Sequence, residues 1–303
     1  RPPRSTLFPY TTLFRSRVIY LFSDFFFLLL ITIIPYRKKV ILGNIARSFP
    51  NKSRKEHLRI KRKFYRHFTD LLAEGIKNLT ISEAAIRRRF KVKNPELMQD
   101  LYDSKKNVLL VSGHFNNWEW LIVSQNLLFP HQAYGIGMPL SSQFWHEKIN
   151  RRRQRFGMRV IHAKNYREEL TKNPEELKAV LVLSDQSPGN SMKSYWMDFL
   201  NQKTAVLFGT EMMANELDYS VVNFTTRKLK RGHYEMELEL ITREPRTLNW
   251  GEITEAHTLK LQNAIIQHPE QWLWSHKQWK REIPENLEQL KLEQHDKFQK
   301  RFR

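Results

Sequence analysis

The sequence predicts an α/β fold, a mixed β-sheet covered by helices, with an N-terminal apolar helix that anchors the chain to a membrane. Three observations carry this reading. Short apolar runs at residues 108–111, 133–137, 158–161, 179–184, 220–226 and 234–241 alternate with stretches of helical periodicity. Residues 54–78 form a long amphipathic pattern without strand alternation. Residues 18–36 (VIYLFSDFFFLLLITIIPY) are the most apolar stretch of the 303-residue chain.

The elements follow in order. Residues 1–16 (RPPRSTLFPYTTLFRS) do not read like the rest and resemble translated sequencing-adapter sequence, so they are set aside as non-native. Residues 17–40 are the anchor. A span needs about 20 apolar residues, and Asp24 interrupts this run. Arg37, Lys38 and Lys39 follow at once and favour the cytoplasmic side. The segment reads as a single spanning helix or a helix lying deep in the interface; a buried core helix is the plain alternative. No small-residue cleavage site follows, which disfavours a signal peptide.

In residues 54–78, Leu58, Phe64, Phe68, Leu71, Leu72 and Ile76 recur near helical spacing. The basic residues between them either face anionic lipid or form a solvated face. Ser82 is placed to cap the next helix. Between the strands, helices are predicted over 118–128, 142–156, 166–171 and 209–216. Residues 234–241 alternate with Glu235, Glu237 and Glu239, so that strand is half exposed. A helix over 255–267 ends at His268-Pro269. Residues 41–283 are the main domain, and residues 284–303 are a charged tail, an exposed or frayed helix.

Composition limits the function. The chain has no cysteine, so disulfides, cysteine nucleophiles and cysteine metal sites are excluded. With ten glycines it shows no Gly-rich phosphate loop. It has neither a His-Glu-x-x-His zinc motif nor a tight carboxylate cluster, so no metal and no resident cofactor are expected. The formal net charge of +20 favours anionic partners. A basic nucleic-acid-binding protein is one reading of that charge. The apolar run at 18–36 and the lack of any helix-turn-helix, zinc or RNA-binding signature stand against it. A serine-triad acyl hydrolase is disfavoured because no Gly-x-Ser-x-Gly elbow is present.

The strongest candidate site is VLLVSGHFNNWEW at residues 108–120. A buried strand runs into a Gly-containing turn and delivers His114, with Glu119 five positions on. Histidine is the side chain best suited to take a proton near neutral pH, and a carboxylate can orient it. On one regular helix the two would lie roughly 140° apart; with His114 in a turn and Glu119 in the first helical turn they can meet. With 11 His and 31 acids in 303 residues, about one His-x4-acid match arises by chance, so context carries the weight. A structural histidine at a strand end is the alternative.

Four blocks, in order, resemble those of the bacterial lipid A biosynthesis acyltransferases, the lauroyl/myristoyl transferases of the wider lysophospholipid acyltransferase superfamily. They are SGHFNNWE at 112–119, RRRQRFG at 151–157, LSDQSP at 183–188 with FLNQKTAVLFGTE at 199–211, and PEQWLWSHKQWK at 269–280. The likeness covers about residues 18–280. Asn116 departs from the glycine common there, and Met138 from a basic residue before Pro139.

The resemblance implies a glycerolipid acyltransferase-like fold and transfer of a fatty acyl chain from a thioester donor, acyl carrier protein or acyl-CoA, to a hydroxyl of a lipid A precursor. Lysophospholipid and aminolipid acceptors are the alternatives. His114 is then the general base and Glu119 its partner, while Asn117, Arg153, Arg155, Asp185 and Gln186 are expected to bind substrate. Arg151, Arg152, Arg153 and Arg155 cannot all face one way on a helix, and a solvated basic face competes with phosphate binding. Turn capping competes for Asp185 and Gln186. Trp272, Trp274, His276 and Trp279 line an acyl pocket, ride the interface or fill the core. The expected setting is the cytoplasmic face of the inner membrane, with the protein a monomer and no nucleic acid bound.

Overall fold

The computed structural model describes residues 16–303 except 35 and 139–141. The reading of residues 1–15 and of Pro139 lies outside the described residues. Three helices come first: α1 (Ser16–Thr32), α2 (Lys38–Ser48) and α3 (Arg54–Lys77). α3 opens with a capping box in which the Ser53 side chain accepts from Glu56 N–H and the Glu56 carboxylate accepts from Ser53 N–H. Then come α4 (Glu83–Arg89), capped by Ser82, β1 (Phe90–Val92), α5 (Glu96–Asp103), β2 (Val108–Ser112), α6 (Trp118–Leu128), β3 (Gln132–Gly137) and α7 (Gln143–Arg153). The chain continues through β4 (Arg159–His162), α8 (Tyr166–Thr171), β5 (Lys178–Leu183), β6 (Tyr195–Phe199), β7 (Gln202–Val206) and α9 (Gly209–Leu217). It closes with β8 (Ser220–Lys230), β9 (His233–Thr242), α10 (Glu252–Gln267) and α11 (Leu287–Phe302).

Seven strands form one sheet in the order β1-β9-β8-β2-β5-β3-β4. All neighbours are parallel except β8 and β9. The α/β class and the mixed sheet are therefore as the sequence predicts. β2 lies at the centre and is buried along its whole length, because helices cover both faces. Val108 and Leu110 point to one face and pack with Trp120, Leu121 and Val123 of α6. Leu109 and Val111 point to the other and pack with Met213 and Ala214 of α9 and Ile253 of α10. β6 and β7 form a separate antiparallel hairpin that the sequence reading missed.

No helix among the described residues is long and apolar enough to cross a membrane. The spanning anchor expected over residues 17–40 is thus unsupported. α1 has 17 residues, and a break separates it from α2. α1 is also tied down through its polar side. Tyr20 donates to Glu74 of α3 at 2.7 Å, Ser23 donates to Asp70 at 2.8 Å, and Asp24 pairs with Arg66 at 2.9 Å and with Arg231. Its apolar side, including Leu21, Phe22, Phe25, Phe26 and Leu28, is exposed. The C-terminal segment is a largely exposed helix, one of the two forms expected, and it is docked at two points. α11 buries Leu290 against Trp196 and Ala205, and Phe298 meets Phe208 at 6.0 Å.

Because β2 and β5 are adjacent and parallel, with Ser112 paired to Leu183, their carboxyl ends deliver the following turns side by side. Ser184 N–H donates to Ser112 C=O at 2.9 Å and extends the ladder into the turn. A Cβ on Gly113 would lie 2.7 Å from Asp185 Cγ and 2.6 Å from Leu261 Cδ2, so glycine is needed for this approach.

Two buried histidines tie stability to pH. Burial pushes His67 of α3 down to about 3, helped by Lys228 and opposed by Asp70. Burial pushes His257 of α10 down to about 4, opposed by Asp185. The unfolded chain takes up these protons near pH ~6.5, while the folded one refuses them. Their contribution is therefore full above pH ~6.5 and is lost as the pH falls toward the folded values. Urea unfolding midpoints are expected to fall steadily from pH ~6.5 to ~4, and His257→Gln is expected to flatten part of that slope. Midpoints that hold constant across this window would contradict the assignment.

Candidate active site

β2 ends in Ser112, and the chain turns sharply, with Phe115 N–H donating to Gly113 C=O at 2.7 Å. Phe115 then bridges to Trp272, and Asn116 N–H donates to Gln271 C=O at 2.9 Å. Asn116 adopts φ 58°, the left-handed conformation that asparagine tolerates better than most residues. Its amide donates to Thr226 C=O and to the Gln271 side chain, a fixing role that glycine could not fill. Asn117 caps α6, accepting from Trp120 N–H at 3.0 Å, and its amide donates to the buried Glu74 carboxylate. Asn117 is therefore committed to the scaffold, although it also forms part of a cleft wall.

This turn presents His114 beside the turn after β5. His114 Nδ1 lies 2.6 Å from Asp185 Oδ1, and His114 N–H donates to Asp185 Oδ2 at 2.9 Å. The Trp272 indole donates to the same Oδ2 at 2.8 Å. The Asp185 side chain is 4% exposed and that of His114 is 17% exposed. Burial raises the Asp185 carboxyl pKa, but the His114 ring, the Trp272 indole and the His114 backbone N–H outweigh it and hold the group below its usual value. The Gln186 amide nitrogen lies 3.3 Å from His114 Nε2. His276 Nε2 accepts from Ser187 N–H at 3.0 Å, and burial lowers its pKa against the opposing charge of Asp185.

Glu119 occupies different surroundings. Its Oε2 accepts from Arg152 Nη2 at 2.6 Å and its Oε1 from Arg153 Nη2 at 2.5 Å. No hydrogen bond joins it to His114. Burial raises its pKa, but Arg153 and Arg152 hold it below the normal carboxylate range. Of the two arginines expected at the site, Arg153 is here and Arg155 is not. Arg155 follows the end of α7, stacks on Phe156 at 5.0 Å and reaches toward Asn78 C=O at 3.4 Å. Arg152 takes its place, a residue that sequence spacing alone did not single out.

Next to these groups opens a cleft of about 610 Å³. Part of its lining is apolar, with Tyr36, Phe68, Leu71, Leu72, Ile76 and Leu273. Another part is polar and cationic, with Arg37, Lys148, Arg152, Glu119 and His276. Tyr36 stacks on Phe68 at 5.7 Å, which joins the cleft to the exposed end of α1 at Ile33 and Ile34. His114 sits just behind Trp118, a wall residue whose ring meets it edge-on at 5.0 Å. Such a cleft suits an amphipathic molecule with an anionic head. Trp272 and Trp274 are buried and belong to the hydrophobic core behind the turn rather than to a membrane-facing rim. Among the described residues no group of three or more His, Cys, Asp or Glu is placed to hold a metal ion.

Comparison with known proteins places the chain. The family model described as bacterial lipid A biosynthesis acyltransferase matches residues 12–281. No curated protein matches the chain. The match spans most of the sequence, including every residue that forms the His114–Asp185 pair and the Glu119 cluster. The chain belongs to the bacterial lipid A biosynthesis acyltransferase family, and its enzymatic class is that of an acyltransferase.

Proposed function

We propose that this protein transfers a fatty acyl chain from a thioester donor, acyl carrier protein or acyl-CoA, to a hydroxyl of a lipid A precursor. His114 removes the proton of the acceptor hydroxyl as that oxygen attacks the thioester carbonyl. The new C–O ester bond forms, the C–S bond breaks, and the departing thiolate takes up a proton. No covalent enzyme intermediate is needed, since acceptor and donor meet in one site. The observation that carries the reading is a histidine tied to a buried carboxylate beside an amphipathic, cation-lined cleft, in a chain of this family.

The reaction requires access to lipid. The exposed apolar side of α1, with Phe22, Phe25 and Phe26, adjoins the basic run Arg37, Lys38 and Lys39. That combination suits a helix lying in the plane of an anionic membrane surface, here the cytoplasmic face of the inner membrane. The polar bonds of α1 to α3 support lying over crossing.

Two outcomes test the proposal. The native protein is expected to add the mass of one acyl group to a lipid A precursor supplied with acyl carrier protein thioester, and His114→Ala to lower the rate ~10²-fold or more. Undiminished transfer by the variant would overturn the role of His114. Phe22→Ser/Phe26→Ser is expected to reduce co-sedimentation with phosphatidylglycerol-containing vesicles several-fold at unchanged fold; binding equal to that of the native chain would overturn the in-plane docking.

A further inference from the structure

We propose that the two carboxylates around His114 divide the work: Asp185 is the positioning residue for His114, whereas Glu119 holds Arg152 and Arg153 as a receptor for a phosphate group of the substrate. The proposal rests on the acyl-transfer reading for its kinetics but not for its geometry. The x4 spacing pairs His114 with Glu119 on paper; the sheet pairs it with Asp185, 71 positions away.

Asp185 grips the histidine at two points, the ring at 2.6 Å and its own backbone N–H at 2.9 Å. Together these fix the side-chain rotamer as well as the ring plane. An ionised carboxylate can only accept hydrogen bonds, so Nδ1 must carry the proton of the neutral ring. Nε2 is then left with its lone pair, the form a general base requires. Once a proton has been taken, the adjacent carboxylate stabilises the imidazolium. The Trp272 indole holds Oδ2 from the far side and keeps Asp185 from rotating.

Glu119 is engaged by both guanidiniums, Oε1 accepting from Arg153 and Oε2 from Arg152 and, at 3.4 Å, from Arg153 Nε. Turning toward His114 would strand two partly buried cations. One anion against two arginines leaves the cluster positive, and Lys148 and Arg37 add to it across the same cleft. Arg152 is further fixed by donating to Gly75 C=O at 3.3 Å. Splayed, pre-oriented guanidiniums suit phosphate oxygens. A phosphorylated lipid acceptor and the phosphopantetheine arm of a donor both offer that chemistry.

The test compares Asp185→Asn with Glu119→Gln. In protein labelled with ¹⁵N-histidine, the His114 signals are assigned by their loss in His114→Gln. Asp185→Asn is expected to abolish the Nδ1–H tautomer; Glu119→Gln is expected to leave it in place. In transfer assays Asp185→Asn is expected to cut kcat by ~10²-fold or more with little change in KM. Glu119→Gln is expected to act chiefly on KM, raising it ~10-fold.

Comparing phosphorylated with dephosphorylated acceptor, and acyl carrier protein with an acyl-pantetheine lacking phosphate, shows which source of phosphate the cluster reads. If the KM effect of Glu119→Gln is indifferent to both phosphates, the receptor half is overturned. If Glu119→Gln, and not Asp185→Asn, alters the His114 tautomer, the positioning half is overturned. Should Asp185→Asn fail to fold, Trp272→Phe removes the competing indole donor from Asp185 and is expected to strengthen the His114 Nδ1–H to Asp185 bond, moving the Nδ1–H proton resonance downfield; an unmoved resonance would count against the proposal. The spectra decide the pairing even if no transfer is found with any acceptor, so the two readings fail separately.

Discussion

The buried carboxylate of Asp185 is the constraint on which the centre of this protein depends. A charge at 4% exposure is costly to bury unless donors surround it. Here three converge from two further stretches of chain: the ring and backbone of His114 after β2, and the indole of Trp272 before the C-terminal segment. Meeting that demand brings the ends of β2 and β5 together and excludes any side chain at Gly113. It also draws the segment after α10 across the turn, so that Phe115 bridges Trp272 and Asn116 bonds Gln271. Three of the four sequence blocks thus meet at one carboxylate. The fourth, with Arg152 and Arg153, joins through Glu119 at the start of α6.

A second polar network arranges the N-terminal helices. Glu74 accepts from Tyr20, Asn117 and Tyr234, and Asp70 takes Ser23, Lys228 and Arg231. Burial raises the Glu74 carboxyl pKa despite the hydroxyl donors Tyr234 and Tyr20. Asn117 links the two networks, since its carbonyl caps the helix that carries Glu119 while its amide reaches Glu74. The same bonds hold Ser23, with Ile19 and Phe27, against the protein, while Leu21, Phe22, Phe25, Phe26 and Leu28 of α1 face out. The apolar part of the cleft and the aromatic side of α1 are joined through Tyr36 and Phe68.

Much of the sheet was legible in the sequence. Six of its strands are continuous apolar or alternating runs, and the structure contains all six within a residue or two, apart from a longer end on β8. The hairpin β6–β7 was not legible: Asp198, Gln202 and Lys203 break its alternation, and it lies on the rim rather than in the sheet. The spanning form of the anchor is unsupported: Asp24 and Ser23 look like blemishes in an apolar run, whereas they are the docking contacts. At the site, strand-end context and the resemblance singled out His114, Glu119, Arg153 and Asp185, but paired His114 with Glu119 rather than with Asp185. Glu119 is close to His114 in sequence, yet the helix turns it toward α7; Asp185 is distant in sequence, yet adjacent strands bring it in. Arg155 was favoured over Arg152 by the resemblance alone; α7 ends at Arg153, after which the chain tightens and the face rotates, and nothing in the sequence marks that end.

The most direct measurement is a crystal structure of the protein with a non-hydrolysable acyl-phosphopantetheine thioether. The account predicts the carbonyl carbon beside Nε2 of His114, the chain along Phe68 and Leu72, and the His114–Asp185 contact intact. An acyl group seated away from His114, or His114 drawn off Asp185 onto Glu119, would contradict it.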